Sequence, residues 1–484
     1  MKTIVIYDDT GRKSEVIADI IGDKGFADVV VKKRCLEDYY RDEICKIFDD
    51  VEWKKVHSVF EYADLIKHFD AYSLQDVRVL HCFSNYIVSD GDKARLSFEK
   101  LFFIDEPYCA LDGNRAVAAM FPSVDTYIAF CKTIISGRKA WDLMREFEEH
   151  FDIEGMVDIG IISNFIQCVT GNFDSRYFNS LKGNEYTIVK SSTNKKKIKA
   201  EYDFYHLLPD DMKYWFVMPF DYREDEGKAN YTMERLHMTD LAIKWVHGSM
   251  EKNEFEFLLD KYFYFFKSRH SRSCSATEYQ AAADALYIDK VKMRISDLKR
   301  LPEYAHIKRL LDGDDSLDID KLSERYFSLK EKIEARNDYP TEMVIGHGDP
   351  CFANALYNKS TQTLKFIDPK GASVEEDLWT NPYYDIAKLS HSVCGKYDFF
   401  NNGLFDIRIA EDFTYDLEIP FDNTEYVDIF KQKVTDNGFD YLTVRIYEAS
   451  LFLSMLPLHI DNPHKVFGFI LNVDRILKEI EADV

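Results

Sequence analysis

Along the first 115 residues the spacing of apolar positions changes repeatedly, which predicts strands alternating with helices. Thr3 to Tyr7 reads as a strand, and Lys13 to Ile21 has helical spacing ended by Gly22 and Gly25. Asp28 to Lys32 reads as a second strand, charged helical segments run on through Ile66, Val77 to Cys82 reads as a third strand, and Lys100 to Ile104 is a candidate fourth. Strands separated by helices favour a parallel α/β sheet. Ser123 to about His150 reads as helical, with Tyr127, Phe130, Cys131, Ile134 and Ile135 at core spacing, and a first domain boundary is placed there. From about Asn172 the pattern changes. Tyr186 to Lys190 is a strand ending in a lysine, Ala200 to Leu208 is a helix stopped by Pro209, and Tyr214 to Pro219 and Tyr231 to Leu236 read as strands. After residue 240 helices dominate: Asp240 to Ser249, Phe255 to Arg269, Ala276 to Lys299, Ser316 to Arg336, and the tail. Two short strands interrupt them, Ala355 to Tyr357 and Leu364 to Ile367, joined by a Lys359–Gln362 turn.

The chain has 484 residues, too long for one hydrophobic core. A net charge of -23 repels phosphate backbones and anionic lipid, so nucleic acid is not an expected partner. The one dense basic run, Lys195-Lys196-Lys197-Ile198-Lys199, reads as a solvated loop or helix start. Nine cysteines without a Cys-x-x-Cys pair argue against a zinc or disulfide framework. No apolar run approaches the length of a membrane span and the first residues lack a signal-peptide core, so a cytoplasmic protein without membrane insertion is expected. A homo-oligomer is compatible with all of this.

The segment with the most chemistry is Gly346-His347-Gly348-Asp349-Pro350-Cys351-Phe352-Ala353-Asn354, followed by Phe366-Ile367-Asp368-Pro369-Lys370-Gly371. It resembles the His-Gly-Asp-x-x-x-x-Asn catalytic loop and second metal-binding aspartate of the aminoglycoside-phosphotransferase and choline-kinase families. Phosphoryl transfer needs a carboxylate beside the acceptor hydroxyl and oxygen ligands for Mg²⁺ on the phosphates. The resemblance implies Asp349 as the catalytic base, His347 as the brace of the catalytic loop, and Asn354 and Asp368 as magnesium ligands. Asn381-Pro382-Tyr383-Tyr384-Asp385-Ile386-Ala387 resembles the family's segment behind that loop, with Asp385 expected to cap the helix Ile386 to Val393.

Upstream, the same resemblance implies that Lys190 holds the ATP phosphates and that Glu201 orients it. Met233-Glu234-Arg235-Leu236 falls where the adenine-binding hinge is expected, which makes Glu234 and Leu236 candidate nucleotide contacts. A Gly-x-Gly-x-x-Gly phosphate loop is missing between Phe173 and Gly183, leaving Ser175, Arg176 and Asn179 as candidates. There is no Asp-Phe-Gly or Ala-Pro-Glu motif, which argues against a protein kinase. Trp379, Tyr383 and Tyr384 are read as core aromatics, with packing on a quaternary ammonium as the alternative. The resemblance covers roughly residues 165 to 484.

The expected architecture is therefore an α/β N-terminal domain with a Rossmann-like parallel sheet (1–145), followed by an α+β bilobal protein-kinase-like domain. The latter has a smaller lobe with a lead-in helix (146–245) and a helical lobe with the catalytic loop (246–484). In the first domain, Asp8-Asp9 follows the first strand, where open α/β sheets bind ligands. The pair is a candidate for metal or a ribose hydroxyl, although a turn plus helix cap is the plainer reading. Phe103-Ile104-Asp105-Glu106-Pro107-Tyr108 with Asp112-Gly113-Asn114-Arg115 is read as a packed turn rather than a binding loop. The expected function is transfer of a phosphoryl group from ATP, with Mg²⁺, to a small-molecule hydroxyl: a sugar, amino alcohol or aminoglycoside-like compound. By analogy with fused kinases, the setting is cell-surface polysaccharide (capsule) biosynthesis. The alternatives are a nucleotide-binding regulatory pseudokinase, and a bifunctional enzyme with nucleotidyl or glycosyl transfer in the first domain.

Overall fold

A computed structural model describes residues 2–11, 13–31, 33–69, 77–169, 186–311, 315–336, 341–409 and 414–484. The chain forms two compact units, Met1–Ser180 and Leu181–Val484, so the residues after 145 stay with the first unit as far as the division.

The first unit is built on a six-stranded sheet. Its strands are β1 (Lys2–Asp8), β2 (Val51–Val56), β3 (Val77–Phe83), β4 (Tyr108–Asp112), β5 (Arg115–Phe121) and β6 (Glu149–Asp152). They lie in the order β2-β1-β3-β5-β4-β6. β1 runs parallel to β2 and β3, while β5 is antiparallel to β3 and to β4. The sheet is thus mixed rather than all-parallel. The cause is local: Asp112-Gly113-Asn114-Arg115 closes a tight turn, with Gly113 in the left-handed region (φ 58°), and a tight hairpin joins antiparallel strands. β3 is buried on both faces, as a central strand must be.

Other expectations also shift. Val51–Val56 lay inside a stretch read as helical, but Val51, Trp53 and Val56 alternate with charges well enough to pair as an edge strand. Lys100–Phe103 is a 3-10 turn, not a strand. The helix read through 123–150 breaks at Gly137 into α2, below, and a short Ala140–Met144 turn of helix, and β6 follows. α1 (Glu15–Ile21) buries Ile17, Ile20 and Ile21, and α2 (Val124–Ile135) packs against the sheet, burying Tyr127, Phe130, Cys131 and Ile134.

The second unit opens with β7 (Thr187–Ser192), α3 (Lys195–Leu207), β8 (Pro219–Glu224) and β9 (Ala229–Glu234), the strands ordered β7-β9-β8. The strand expected at Tyr214 begins as a 3-10 turn, Lys213–Trp215, and extends only from Pro219. Residues 235–238 then lead into β10 (Thr239–Asp240) and α4 (Leu241–His247). The helical part contains α5 (Lys252–Ser268), α6 (Ile319–Glu334), α7 (Tyr384–Val393), α8 (Tyr441–Met455) and α9 (Pro463–Asp483). Set among them are β11 (Glu342–Ile345) and the hairpin β12 (Ala355–Asn358) and β13 (Thr363–Phe366), which pairs with β10. The abundance of aromatics is spent here. Phe366 packs on Trp215, Phe216, Tyr262 and Phe265, and Phe352 packs on Trp245. These rings fix the two ends of the Asp349–Asp368 segment in a rigid core. Among the described residues no helix is long and apolar enough to cross a membrane.

Candidate active site

The loop 346–354 leaves buried β11 and turns back toward β12, so its polar groups cluster at one edge of the helical core. Gly348 makes the turn at φ 83°, and a Cβ there would lie 2.5 Å from Lys370 Cβ. His347 is fully buried. Its Nδ1 accepts from the Asp349 amide (3.0 Å) and its Nε2 donates to the Ile367 carbonyl (2.9 Å). Phe216 stacks on the ring (5.7 Å between centroids, 9° between planes). Burial lowers the imidazole pKa, so the ring stays neutral with both nitrogens committed to main chain. His347 therefore positions the loop and is not poised to take a proton.

Asp385 holds the same loop from behind. It lies in the first turn of α7, where Tyr383 rather than Asp385 occupies the cap position. The carboxylate instead accepts from the amides of His347 (2.9 Å) and Gly348 (2.8 Å). Arg269, at the end of α5, donates to Asp385 Oδ2 at 3.0 Å and to the Pro382 carbonyl at 3.2 Å. Both members of this ion pair are buried. A buried carboxylate bearing two amide donors and a guanidinium is well compensated, whereas either charge alone would be costly.

One turn further along α7, Lys388 reaches the loop from the same side. Its ammonium lies 3.0 Å from Asp349 Oδ1, with 14% of the lysine and 39% of the aspartate side chain exposed. Burial works to depress the Lys388 ammonium, yet Asp349 and the Tyr384 phenol more than offset it and raise its pKa. Burial works to raise the Asp349 carboxyl, but Lys388 holds it below the usual carboxylate value. Asp349 is thus an anion at neutral pH.

Asn354 ends the loop in a 3-10 turn, its Nδ2 donating to the Asp349 carbonyl (3.0 Å). Asp368 follows β13 in the left-handed region (φ 56°), a conformation that costs a non-glycine residue on the order of 1 kcal/mol. Its Oδ1 accepts from Lys190 at 2.8 Å while the side chain stays 41% exposed. Lys190, on β7, also donates to Glu201 Oε2 on α3 at 2.7 Å, and the Tyr231 hydroxyl donates to that oxygen at 3.2 Å. Burial tends to lower Lys190, but Asp368 and Glu201 together raise it. The segment after Asp368 is tied to both sides: the Lys370 amide donates to the His347 carbonyl (2.9 Å) and that of Ala372 to Ala200 on α3 (2.9 Å).

The structure thus brings together Lys190, Glu201 and Asp368 in one chain of contacts, and His347, Asp349 and Asn354 in another. The backbone at Ile367–Lys370 joins the two. Glu234 ends β9 exposed, and Leu236 is half-buried in the link to α4. Tyr383 and Tyr384 are buried, and Lys290 already donates to the Tyr384 hydroxyl (3.0 Å), while Arg272 covers Trp379 (4.8 Å to the ring centroid). Those rings serve the core and the protein's own cations. Ser175, Arg176 and Asn179 lie outside the described residues. Sequence reasoning missed Arg269, Lys388 and Phe216. Only Lys388 carried a signal, being three residues past Asp385 and hence on the same helix face.

No protein-family model and no curated protein sequence matches the chain. Among solved structures it is similar to choline kinase from Cryptosporidium parvum Iowa II, at 10% sequence identity over 62% of this chain and 84% of that chain, with a TM-score of 0.31. The chemical reading therefore rests on the residues themselves.

Proposed function

We propose that the second unit is a bilobal, kinase-like phosphotransferase that moves the terminal phosphoryl group of ATP to a hydroxyl of a small molecule. The observation that carries this reading is the Lys190 ammonium held between Glu201 (2.7 Å) and Asp368 (2.8 Å), next to a loop that presents an ionised Asp349. An ammonium held by two carboxylates suits the oxygens of a polyphosphate. Asp349 orients the acceptor hydroxyl and receives its proton as the P–O bond forms. Because its pKa is depressed, its contribution is mainly orientation, with proton transfer late, as a loose phosphoryl transfer allows. Lys388 keeps that carboxylate ionised. Asp385 and Arg269 fix the backbone from which it projects.

The donor set suits Mg²⁺: Asn354 offers an amide oxygen and Asp368 a partly exposed carboxylate, both hard ligands. When bound, the ion would neutralise phosphate charge. The link 235–238 is the proposed adenine hinge, with Glu234 and Leu236 beside it. The acceptor class is a sugar, amino alcohol or aminoglycoside-like compound, and a place in cell-surface polysaccharide assembly accords with an α/β unit joined to the kinase.

The test is to incubate the whole chain with Mg²⁺-ATP and a panel of sugars, amino alcohols and aminoglycosides, reading products by mass spectrometry. A phosphorylated product that vanishes in Asp349→Ala establishes the reading. ATP binding without product from any acceptor, or a product that survives Asp349→Ala, refutes it.

A further inference from the structure

The first unit contains a group of polar side chains that the phosphotransferase reading does not use. It lies at the carboxyl ends of β1 and β2, the edge at which open α/β sheets receive ligands. Asp8 and Asp9 leave β1 together but differ in their surroundings. Asp8 is saturated: its Oδ1 accepts from the Thr10 amide (2.8 Å), and its Oδ2 meets the Tyr62 hydroxyl (2.7 Å) and His81 Nε2 (3.1 Å). Asp9 is half-saturated. Its Oδ1 accepts from the Ser84 hydroxyl (2.5 Å) and the Ala27 amide (3.2 Å), whereas Oδ2 is buried without a hydrogen-bond partner. The Asp9 side chain is only 1% exposed. An orphaned carboxylate oxygen at such depth calls for a partner.

Two further donors face it. The Asp9 amide donates to the Val56 carbonyl (2.8 Å), which sets the next residue, His57, beside the carboxylate. His57 Nδ1 lies 3.6 Å from Asp9 Oδ2, too far for a hydrogen bond. Asp28 completes the group, and one ligand atom from each of the three residues lies within 4.8 Å of the others. With metal–ligand bonds of about 2.1 Å, two ligands of a tetrahedral ion stand about 3.4 Å apart. The Asp9–His57 separation is already near that edge. Half-exposed His57 and Asp28 can rotate to shorten the remaining edges while buried Asp9 stays fixed. Lys55 neutralises part of the charge by pairing with Asp28 Oδ1 at 3.0 Å and with Glu37 at 2.7 Å.

We propose that Asp9, His57 and Asp28 bind a divalent transition-metal ion of the zinc type, with a fourth position open to an oxygen donor from solvent or ligand. One imidazole and two carboxylates select a borderline ion over Mg²⁺, which prefers all-oxygen, octahedral surroundings. Three protein ligands with an open position are the pattern of a site that takes an exogenous ligand.

The test uses Co²⁺ as a spectroscopic probe on the full chain, with Mg²⁺ in excess to hold the carboxylates of the second unit. One equivalent is expected to bind with the visible absorption of four-coordinate Co²⁺. His57→Gln is expected to weaken binding by about 10-fold or more, since even groups that only support a metal ligand cost that much when altered. Asp9→Asn should do the same, and Asp368→Asn should leave this Co²⁺ band and its affinity unchanged. His57 is half-exposed, so its variant tests the site even where Asp9→Asn fails to fold. Absence of the band, a band indifferent to His57→Gln, or a band lost in Asp368→Asn overturns the proposal.

Discussion

Replacing Lys388 with glutamine removes the charge that keeps Asp349 ionised while retaining most of the side chain's volume. At 3.0 Å the pair interacts by about 5.5 kcal/mol at an effective dielectric of ~20 and about 1.4 kcal/mol at that of water. Asp349 is 39% exposed, so screening places the coupling in the lower half of that range, about 1.5–3 kcal/mol. At about 1.4 kcal/mol per pH unit, the Asp349 carboxyl should rise by one to two pH units. The sign follows from the folded protein: with Lys388 present the carboxyl lies below its ordinary value, and without it burial dominates and pushes it above. Activity that needs the ionised carboxylate is then lost at a higher pH as acidity increases. The assay is kcat/KM for phosphoryl transfer across a range of roughly pH 4–8, whose acid limb reports the free enzyme's base. Lys388→Gln should move that limb upward by at least about one unit, lowering kcat/KM below about pH 6 and leaving it near that of the unaltered enzyme at neutral pH. An acid limb coincident with that of the unaltered enzyme would show that Lys388 does not control Asp349.

Glu201→Gln removes one of the two carboxylates that hold Lys190; a loss of about 2 kcal/mol, or roughly 30-fold in kcat/KM for ATP, is expected in steady-state kinetics. Asp385→Asn leaves the Arg269 guanidinium buried with its charge uncompensated, and should cost about 3–5 kcal/mol in urea unfolding. The double variant with Arg269→Met should recover part of that loss, a non-additivity that a double-mutant cycle reads directly. Asp398 is fully buried, neither oxygen has a hydrogen-bond partner, and burial pushes its carboxyl up to about 7. Because the folded value exceeds the unfolded one, its contribution to stability falls as pH rises through that window, by about 2–3 kcal/mol between pH 5 and pH 8. Asp398→Asn should flatten this slope in pH-dependent thermal melts, and an unchanged slope would contradict the assignment.

The residues that could be read from the sequence lie close together along the chain. From His347 to Asp368 the loop and hairpin are short, so residue spacing largely determines geometry, and the turn at Lys359–Gln362 was visible in composition. Lys190 and Glu201 sit on neighbouring elements, but their link to Asp368 spans 178 positions and was inferred only through resemblance. Arg269 is 116 positions from Asp385, and nothing in its own neighbourhood marks it. In the first unit the antiparallel β5 follows from the two-residue turn Gly113-Asn114, a local signal for strand direction. β2 was obscured because Glu52, Lys54 and Lys55 give an edge strand the charge density of a surface helix. Arg269 and β2 share one cause: long-range pairing decides their place, and local pattern does not record it.

The geometry around α7 explains why one turn of helix matters so much. Asp385 fixes the backbone of the loop through two amides, and Lys388, three residues later, fixes the charge of the side chain that projects from it. The phenol of Tyr384 on the same turn receives Lys290, and the Phe352 amide meets the Ser392 hydroxyl near the helix end. Orientation and ionisation of Asp349 are therefore held by a single rigid element. A variant that shifted the start of α7 would lose both together, whereas Asp385→Asn and Lys388→Gln should separate them. The first acts on stability and on kcat at every pH, and the second on the position of the acid limb.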